Sequence, residues 1–215
     1  GVGPSQEIYV EVERLADRKP VVVSMGSVAA SGGYYVAAPA DRIVANPGPI
    51  TGSIGVIMGF TNYEELLEKI GLKNTVVKSG KHKDIGSPVR PMTAEDKAIL
   101  QSLIDDVHRQ FVNAIAKGRE MEFDVVLPLA DGRIFTGKQA KELGLVDQLG
   151  NFRDAVTLAA ELAQIEGEPK LVYPPKEKPG FIEYFMQEAV GQFKQGLREE
   201  SLNGLQYIWN GTNRR

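Results

Sequence analysis

The sequence predicts an α/β fold. Short apolar segments alternate with amphipathic segments along most of the 215 residues, and several amphipathic segments begin with a helix-capping residue. Hydrophobic residues make up 42% and charged residues 25% of the chain, as in an ordinary globular protein. Alternating strands and helices are typical of sheets that are covered by helices.

Local patterns give the expected elements in chain order. Apolar or extended segments predict five short strands, at 21–25, 42–45, 50–56, 75–78 and 145–146. A helix of small residues is expected at 31–38, and it is stopped near Pro39. Capping residues predict further helices that begin at Asn62, Thr93, Thr136 and Asn151.

The composition changes after residue 166. Residues 174–179 are rich in proline and lysine and indicate a linker, and residues 181–197 have the apolar stripe of an amphipathic helix. This helix either packs on its own domain or contacts another subunit. We therefore expect one domain at 1–166 and a linker with a C-terminal helical extension at 167–215.

Charge and composition exclude several function classes. The 25 basic and 28 acidic residues give a net charge of −3, so nucleic-acid binding has no electrostatic support. The chain has no cysteine, which excludes disulfides, thiolate metal sites and cysteine nucleophiles. Its two histidines, His82 and His108, are too few for a mechanism that needs several imidazoles.

Charged residues are nearly absent from 20–63. Only Asp41 and Arg42 are charged among these 44 residues, where the average composition would give about 11. Residues 21–40 contain no charge, but seven of them are Ser, Gly or Pro, which suits a lipid-facing helix poorly. We therefore expect the segment to be buried inside a protein.

One motif resembles a nucleotide-binding loop without matching it. Gly132-x-x-x-x-Gly137-Lys138-Gln139 has glutamine where a P-loop needs Ser or Thr for magnesium, and no apolar strand directly precedes Gly132. A helix start capped by Thr136 is the better interpretation. The sequence also contains no metal-ligand spacing, so no cofactor or metal is expected.

Ser31 is the candidate nucleophile. It follows a predicted strand and opens a predicted helix within Ala29-Ala30-Ser31-Gly32-Gly33, an order that resembles the sharp turn that exposes a catalytic serine. Gly32 and Gly33 would leave backbone N–H groups uncrowded where an oxyanion could form. The alternative is that Ser31 only caps the helix.

A serine nucleophile needs a base. His108 falls inside the long predicted helix near its apolar stripe, which is typical of a boundary residue, whereas a Ser31–His82 pair stays open. A lysine is the other option, but its pKa of about 10.4 must fall by about 3 units, equivalent to about 4 kcal/mol. Lys83 could lie against the charge-poor segment or belong to a solvated loop.

Four segments together resemble one family. They are 24–35 around Ser31, Thr51-Gly52-Ser53-Ile54-Gly55-Val56, Ser79-Gly80-Lys81-His82-Lys83-Asp84, and the stretch from Ala130-Asp131-Gly132-Arg133 to Gly144-Leu145-Val146-Asp147. In order and spacing they are similar to the bacterial signal peptide peptidase A family. The resemblance covers about residues 1–155, and Val2 to Tyr9 resembles the family's helix start after its glycine-rich loop.

The resemblance implies a serine protease with a Ser/Lys dyad. Ser31 aligns with the nucleophile and Lys83, 52 residues later, with the general base. Ser53 aligns with the hydroxyl that orients the lysine, and the N–H of Gly32 with one oxyanion donor. The second donor belongs to the glycine-rich loop, and we expect that loop and the N-terminal part of the domain to lie outside this chain.

The resemblance also implies architecture and partners. The family's fold is the ClpP/crotonase-like fold of repeated β-β-α units, and this chain resembles the short form with one such module. That form assembles into a homo-octamer whose active site is completed between adjacent subunits. The implied substrates are remnant signal peptides. The family is anchored in the bacterial cytoplasmic membrane, with its catalytic domain outside the cytoplasm, so we expect membrane attachment through an N-terminal anchor absent from this chain.

Two other classes are compatible with the same fold. One is a crotonase-type acyl-CoA enzyme, which needs no serine nucleophile. The other is a non-catalytic assembly module with a vestigial dyad. Both stay open at this point because a fold alone does not determine a function.

Overall fold

The computed structural model describes residues 1–174. The chain divides into two compact units, Gly1–Pro169 and Lys170–Arg215, and of the second unit only residues 170–174 are described. The predicted C-terminal helix at 181–197 lies outside the described residues. The division into a protease domain at 1–166 and an extension at 167–215 stays a prediction.

Helices and strands alternate through the described residues. The helices are α1 (Val2–Ala16), α2 (Gly32–Ala37), α3 (Glu64–Lys69), α4 (Ala94–Gly118), α5 (Phe123–Val126), α6 (Gly137–Glu142) and α7 (Phe152–Leu162). The strands are β1 (Val22–Met25), β2 (Val28–Ala30), β3 (Arg42–Ala45), β4 (Ile50–Gly52), β5 (Ile134–Thr136) and β6 (Gln148–Leu149).

The strands form two small sheets. One has the order β1-β3-β6 with parallel pairing throughout. The other has the order β2-β4-β5, in which β2 and β4 are parallel and β5 is antiparallel to β4. Each successive β-β-α unit, first β1-β2-α2 and then β3-β4-α3, gives one strand to each sheet. The α/β class and the ClpP/crotonase-like order of repeated β-β-α units are thereby confirmed.

Both sheets and five helices contribute to one hydrophobic core. Its largest fully buried side chains include Tyr34, Met25, Ile43, Ile54 and Ile115. Full burial of a large apolar side chain stabilises the folded state by about 1.5–3 kcal/mol. The Tyr34 hydroxyl donates a 2.8 Å hydrogen bond to the carbonyl oxygen of Leu145, so its buried polar atom is satisfied.

The charge-poor segment is buried only in part, although it contributes several side chains to the core. Met25, Tyr34, Ile43 and Ile54 from this segment are all at most 1% exposed, as expected from its composition. The expectation fails after Gly55, because the chain there leaves the core and Ile57 is 91% exposed.

Several predicted boundaries are wrong for local reasons. The strand expected at 50–56 ends at Gly52, because Gly52 and Ser53 both have positive φ angles and turn the chain. Residues 75–78 form no strand. Leu145 and Val146 form no strand either, and they are buried in the segment that follows α6. The helix expected from Asn62 begins at Glu64, whose N–H donates to the Asn62 side chain at 2.8 Å.

Residues 56–92, called the arm from here on, connect β4 to α4 and expose apolar side chains. The helix α3 within the arm has no buried residue. Val77 is 97% exposed, and Phe60, Leu66 and Leu72 are exposed as well. Such a dense set of exposed large apolar side chains is typical of a surface that is covered in an assembly.

A search of the described helices for one that is both long enough and apolar enough to cross a membrane finds none.

Candidate active site

Ser31 lies in a strained turn between β2 and α2. Its φ of 53° and ψ of −118° fall in a region that non-glycine residues rarely adopt. Its N–H donates a 2.8 Å hydrogen bond to the carbonyl oxygen of Gly52, and its own carbonyl oxygen accepts from Tyr35 at 2.9 Å. Strain of this kind costs about 1–3 kcal/mol and is concentrated at functional sites.

The Ser31 hydroxyl does not cap α2. Its oxygen accepts no hydrogen bond from the first turn of the helix, and the residue is exposed. In contrast, the side chains of Thr93, Thr136 and Asn151 each accept a hydrogen bond from the first turn of their helices. Ser31 thus occupies the N-cap position of α2, but its side chain makes no capping hydrogen bond.

Gly32 lies against the start of α1. A Cβ at this position would lie 2.6 Å from the Ser5 Oγ, well inside van der Waals contact. The Ser5 hydroxyl donates a 3.0 Å hydrogen bond to the carbonyl oxygen of Gly1. The absence of a side chain at Gly32 thus lets the start of α1 lie beside the reactive turn.

An apolar cavity of about 200 Å³ opens beside Ser31. Its walls come from the start of α1, from the Ser31 turn, from the chain after β4 and from the middle of α4. The lining residues include Val2, Tyr35, Val56, Ile57, Val107 and Phe111. Because sites for drug-sized ligands usually measure about 300–1,000 Å³, this cavity suits one or two side chains rather than a cofactor.

Ser53 directly follows β4, the strand that pairs with the strand before Ser31. In the parallel pairing of β2 with β4, Ala30 is opposite Gly52, so Ser31 and Ser53 are the next residues along each chain. Ser53 has a φ of 50°, is half-buried, and donates its N–H to the carbonyl oxygen of Arg133 at 2.7 Å. The structure therefore brings Ser31, Gly32 and Ser53 to one edge of the second sheet.

Lys83 is not brought to the Ser31 cavity within one chain. Its side chain is exposed, and the residue is absent from the cavity lining. It lies in a turn of the arm, where its N–H donates to the carbonyl oxygen of Gly80 at 3.1 Å.

The neighbours of Lys83 form an ion-pair network. Asp84 pairs with Arg90 at 2.9 Å and with Lys78 at 2.7 Å. Hydrogen bonds from Arg90 and then from Lys78 hold the pKa of the Asp84 carboxyl well below its usual range. The Arg90 guanidinium likewise lowers the pKa of Asp96.

Both histidines face partners other than Ser31. His82 Nε2 lies 3.2 Å from Glu95 and its Nδ1 lies 3.6 Å from Asp96. His108 Nε2 lies 2.6 Å from the carbonyl oxygen of Ala130, to which it can only donate. His108 is half-buried, as expected for a boundary residue. Neither histidine lines the Ser31 cavity.

The glycine motif at 132–139 has a structural role. A Cβ on Gly137 would lie 2.0 Å from the carbonyl oxygen of Asn46, so the helix start packs against β3 with no room for a phosphate there. Thr136 and Gln139 form the predicted capping box. Across residues 1–174, three or more metal-ligating side chains do not cluster anywhere.

Sequence reasoning missed the walls of the site. Val107 and Phe111 lie within the long predicted helix, where no local pattern marks them as cavity walls, and α1 is expected only as a helix start. The tilted contact between the rings of Tyr35 and Phe111, with centroids 4.9 Å apart, carries no short-range sequence signal because 76 residues separate the two residues. The Arg90 network has no periodic signal either.

Comparisons with known proteins identify the family of the chain. Residues 13–166, more than half of the chain, match the family described as Peptidase family S49. "Putative protease slr0021" of Synechocystis is 51% identical over 162 residues, which cover 75% of this chain and 58% of that protein. "Putative signal peptide peptidase SppA" of Enterococcus faecium is 37% identical over 199 residues, which cover 92% and 57%.

Both matches span less than two thirds of the relative's length. Among solved structures, the 1510-N membrane-bound stomatin-specific protease aligns with a TM-score of 0.49 and 13% identity over 80% of this chain and 75% of its own. That likeness is too distant to assign residues. The family match over residues 13–166 is sufficient by itself: the chain belongs to peptidase family S49, and the serine-protease class expected from its sequence is confirmed at the level of the family.

Proposed function

We propose that this chain is the catalytic module of a serine endopeptidase that cleaves peptides by a Ser31/Lys83 dyad. The observation that carries the proposal is the conformation of Ser31. Its backbone is held in a strained strand-to-helix turn beside an apolar cavity, and its hydroxyl caps no helix. A reactive hydroxyl in such a turn is accessible to a peptide carbonyl group.

The chemical steps require one base and one oxyanion donor. A neutral Lys83 amine accepts the proton of the Ser31 hydroxyl while the Ser31 oxygen attacks the peptide carbonyl carbon. The Gly32 N–H donates to the resulting oxyanion, and Ser53 orients the amine. The ammonium group then protonates the leaving amine, and a water molecule, deprotonated by the same lysine, releases the acyl group.

We infer that Lys83 reaches Ser31 of a neighbouring copy. A lysine acts as a base near neutral pH only when burial destabilises its ammonium form, whereas Lys83 is exposed in a single chain. The arm that carries Lys83 also exposes Val77 and other apolar side chains. Covering the arm with a second copy would bury both, so assembly and catalysis are coupled in this proposal.

We propose signal-peptide remnants in a membrane as the substrate class, with the catalytic module outside the bacterial cytoplasm. The apolar walls of the 200 Å³ cavity favour small or apolar side chains next to the scissile bond, and such side chains are abundant in signal peptides. A relative in Enterococcus faecium is named as a signal peptide peptidase, and this supports the same assignment.

Covalent labelling tests the proposal. An acylating serine-protease inhibitor should modify Ser31 in the wild-type protein and should leave Ser31→Ala unmodified, as read by intact mass and peptide mapping. The Ser24→Ala variant is the matched control, because Ser24 lies in β1 away from the cavity. Absence of a Ser31 adduct in an assembled wild-type protein would favour a non-catalytic module or an acyl-CoA enzyme.

A further inference from the structure

The turn that carries Lys83 is closed by its own backbone. Residues 80–87, called the lysine turn from here on, contain three short-range hydrogen bonds: Lys83 N–H to Gly80 at 3.1 Å, Ile85 N–H to His82 at 3.1 Å and Ser87 N–H to Asp84 at 3.0 Å. Each closes over three residues. This fixes the shape of the turn but not its position relative to the rest of the chain.

Arg90 joins the lysine turn to α4. Its Nε and one terminal nitrogen donate to the two carboxylate oxygens of Asp84 at 2.9 and 3.0 Å, and the same nitrogen donates to the Asp84 carbonyl oxygen at 3.2 Å. The other terminal nitrogen donates to Asp96 at 2.6 Å. The planar guanidinium group thus fixes both the side chain and the backbone of the residue next to Lys83.

Asp96 is a rigid anchor for Arg90. It is 2% exposed and forms the capping box of α4, in which its carboxylate accepts the Thr93 N–H at 3.1 Å and its N–H donates to Thr93 Oγ1 at 3.0 Å. Farther along α4, Val107 and Phe111 line the Ser31 cavity. The lysine turn and the cavity wall are therefore attached to one continuous helix.

We propose that Arg90 is a positioning residue for Lys83, which it holds at a fixed place relative to α4 by clamping Asp84 to Asp96. This inference rests on the proposed function, because it gives a purpose to the position of Lys83 only if Lys83 is the base. Asp84 directly follows Lys83. Loss of the Arg90 hydrogen bonds to the carbonyl and carboxylate oxygens of Asp84 therefore removes a restraint on the backbone that orients the Lys83 side chain.

Charge balance gives Arg90 a second effect on the same residue. Asp84 is neutralised by Arg90 and Lys78 together. Without Arg90, the Asp84 carboxylate next to Lys83 keeps only the Lys78 partner, and the excess negative charge favours the ammonium form of the lysine.

The remaining charged groups at the lysine turn also contact α4, and His82 shares Asp96 with Arg90. Lys81 pairs with Glu95, and His82 lies between Glu95 and Asp96. A change at Arg90 leaves the Lys81–Glu95 pair in place, because neither residue contacts Arg90.

The test compares Arg90→Gln, Arg90→Lys and Arg119→Gln in the full-length assembled protein with a peptide substrate. We expect Arg90→Gln to lower kcat by about 10- to 100-fold with little change in KM, because misaimed catalytic groups lose rate rather than binding. The rising limb of its pH–rate profile should move to higher pH. Arg90→Lys, which keeps one charge but not the fork, should recover part of the rate.

Arg119→Gln is the matched control for lost stability. Arg119 is also largely buried and pairs with Asp147 at 2.5 Å, but it lies at the opposite end of α4. The Arg119→Gln substitution should lower Tm without shifting the pH–rate profile. Hydrogen exchange gives an activity-independent readout, since Arg90→Gln should speed exchange at the Lys83, Ile85 and Ser87 amides and leave those of β3 unchanged.

The outcomes separate this inference from the proposed function. If Lys83→Ala is inactive while Arg90→Gln keeps the wild-type kcat, pH profile and exchange rates, the clamp is wrong and the dyad stands. If Arg90→Gln lowers Tm but leaves the pH–rate profile unchanged, as expected for Arg119→Gln, the positioning role of Arg90 is also wrong. Full activity in Lys83→Ala overturns both.

Discussion

The backbone N–H of Ser31 donates a 2.8 Å hydrogen bond to the carbonyl oxygen of Gly52, and both residues have positive φ angles. The bond extends the parallel pairing of β2 and β4 by one step, to the point where both strands end. It therefore holds the reactive turn and places Ser53, the next residue after Gly52, alongside Ser31. Glycine adopts a positive φ at no steric cost, so Gly52 can hold the strained backbone of Ser31 in place across the sheet.

Gly52→Ala should reduce both stability and activity. A Cβ at Gly52, whose φ is 73°, would lie 2.5 Å from the Phe135 ring and 3.1 Å from the Arg133 carbonyl oxygen. We expect a loss of about 2–4 kcal/mol in the free energy of unfolding, from overpacking and backbone strain together. Urea denaturation measures this loss. Gly48→Ala is the control, because no atom lies within 4 Å of a Cβ there, and an equal loss in both variants would contradict the argument.

Lys83→Ala should abolish peptide hydrolysis and leave assembly intact, whereas His82→Ala should keep most of the activity because His82 faces Glu95 and Asp96. In the wild-type protein, kcat/KM should rise between about pH 6 and 9, since only a neutral amine can accept the serine proton. Steady-state assays across this range measure the profile. A flat profile, or a collapse of activity in His82→Ala comparable to that of Ser31→Ala, would favour a different base.

Much of the fold follows from local sequence signals. The caps at Thr93, Thr136 and Asn151 are predictable because each depends on residues at most three positions apart, and all three are capping boxes in the structure. The strand Arg42–Ala45 was predicted with its observed bounds. In contrast, β2 and β5 have three residues each, too few for a periodic pattern to stand out.

The site was predictable only in part, for a physical reason. The turn at Ser31 has a local signature in the glycines that follow it. The exposure of the arm has no such local signature, because apolar residues that a second copy would cover are the same residue types as those of a core. The clamp joins Asp84, Arg90 and Asp96 across a turn, a bend and the start of α4, so no single helical or strand repeat connects the three residues.

Mixing two inactive variants tests whether the dyad forms between copies. Ser31→Ala keeps Lys83, and Lys83→Ala keeps Ser31. In a ring with head-to-tail contacts, random co-assembly of equal amounts should give about a quarter of the sites both groups and recover about a quarter of the wild-type activity. The measurement is peptidase activity after the two are dissociated and reassembled together. No recovery in mixed assemblies, verified by mass, would mean that the dyad does not form between copies.

A charge in the arm should prevent assembly without unfolding the chain. Val77 is 97% exposed, so Val77→Asp should change the stability of an isolated copy by no more than about 0.5 kcal/mol. The buried carboxylate would destabilise an interface that covers it, and activity should fall with the oligomer. Light scattering with size exclusion measures the state of assembly. The control is Val125→Asp, on the exposed side of α5, which should assemble normally. An unchanged oligomer in Val77→Asp would show that the arm is not part of the interface.

Acid should destabilise the protein through the Arg90 network. The pKa values of Asp84 and Asp96 lie well below the ordinary aspartate value of 3.8, chiefly because both accept hydrogen bonds from Arg90. A carboxyl whose pKa is lowered on folding stabilises the folded state above its unfolded-state pKa, and this contribution is lost as the pH falls toward the lower folded-state value. Tm should therefore be nearly constant from pH 7 to about 5 and fall below about pH 4. Arg90→Gln should have a lower Tm at pH 7 and a shallower decline of Tm in acid, because less of its stability depends on the two ionised carboxylates. Parallel curves of Tm against pH for the variant and the wild-type protein would contradict this assignment.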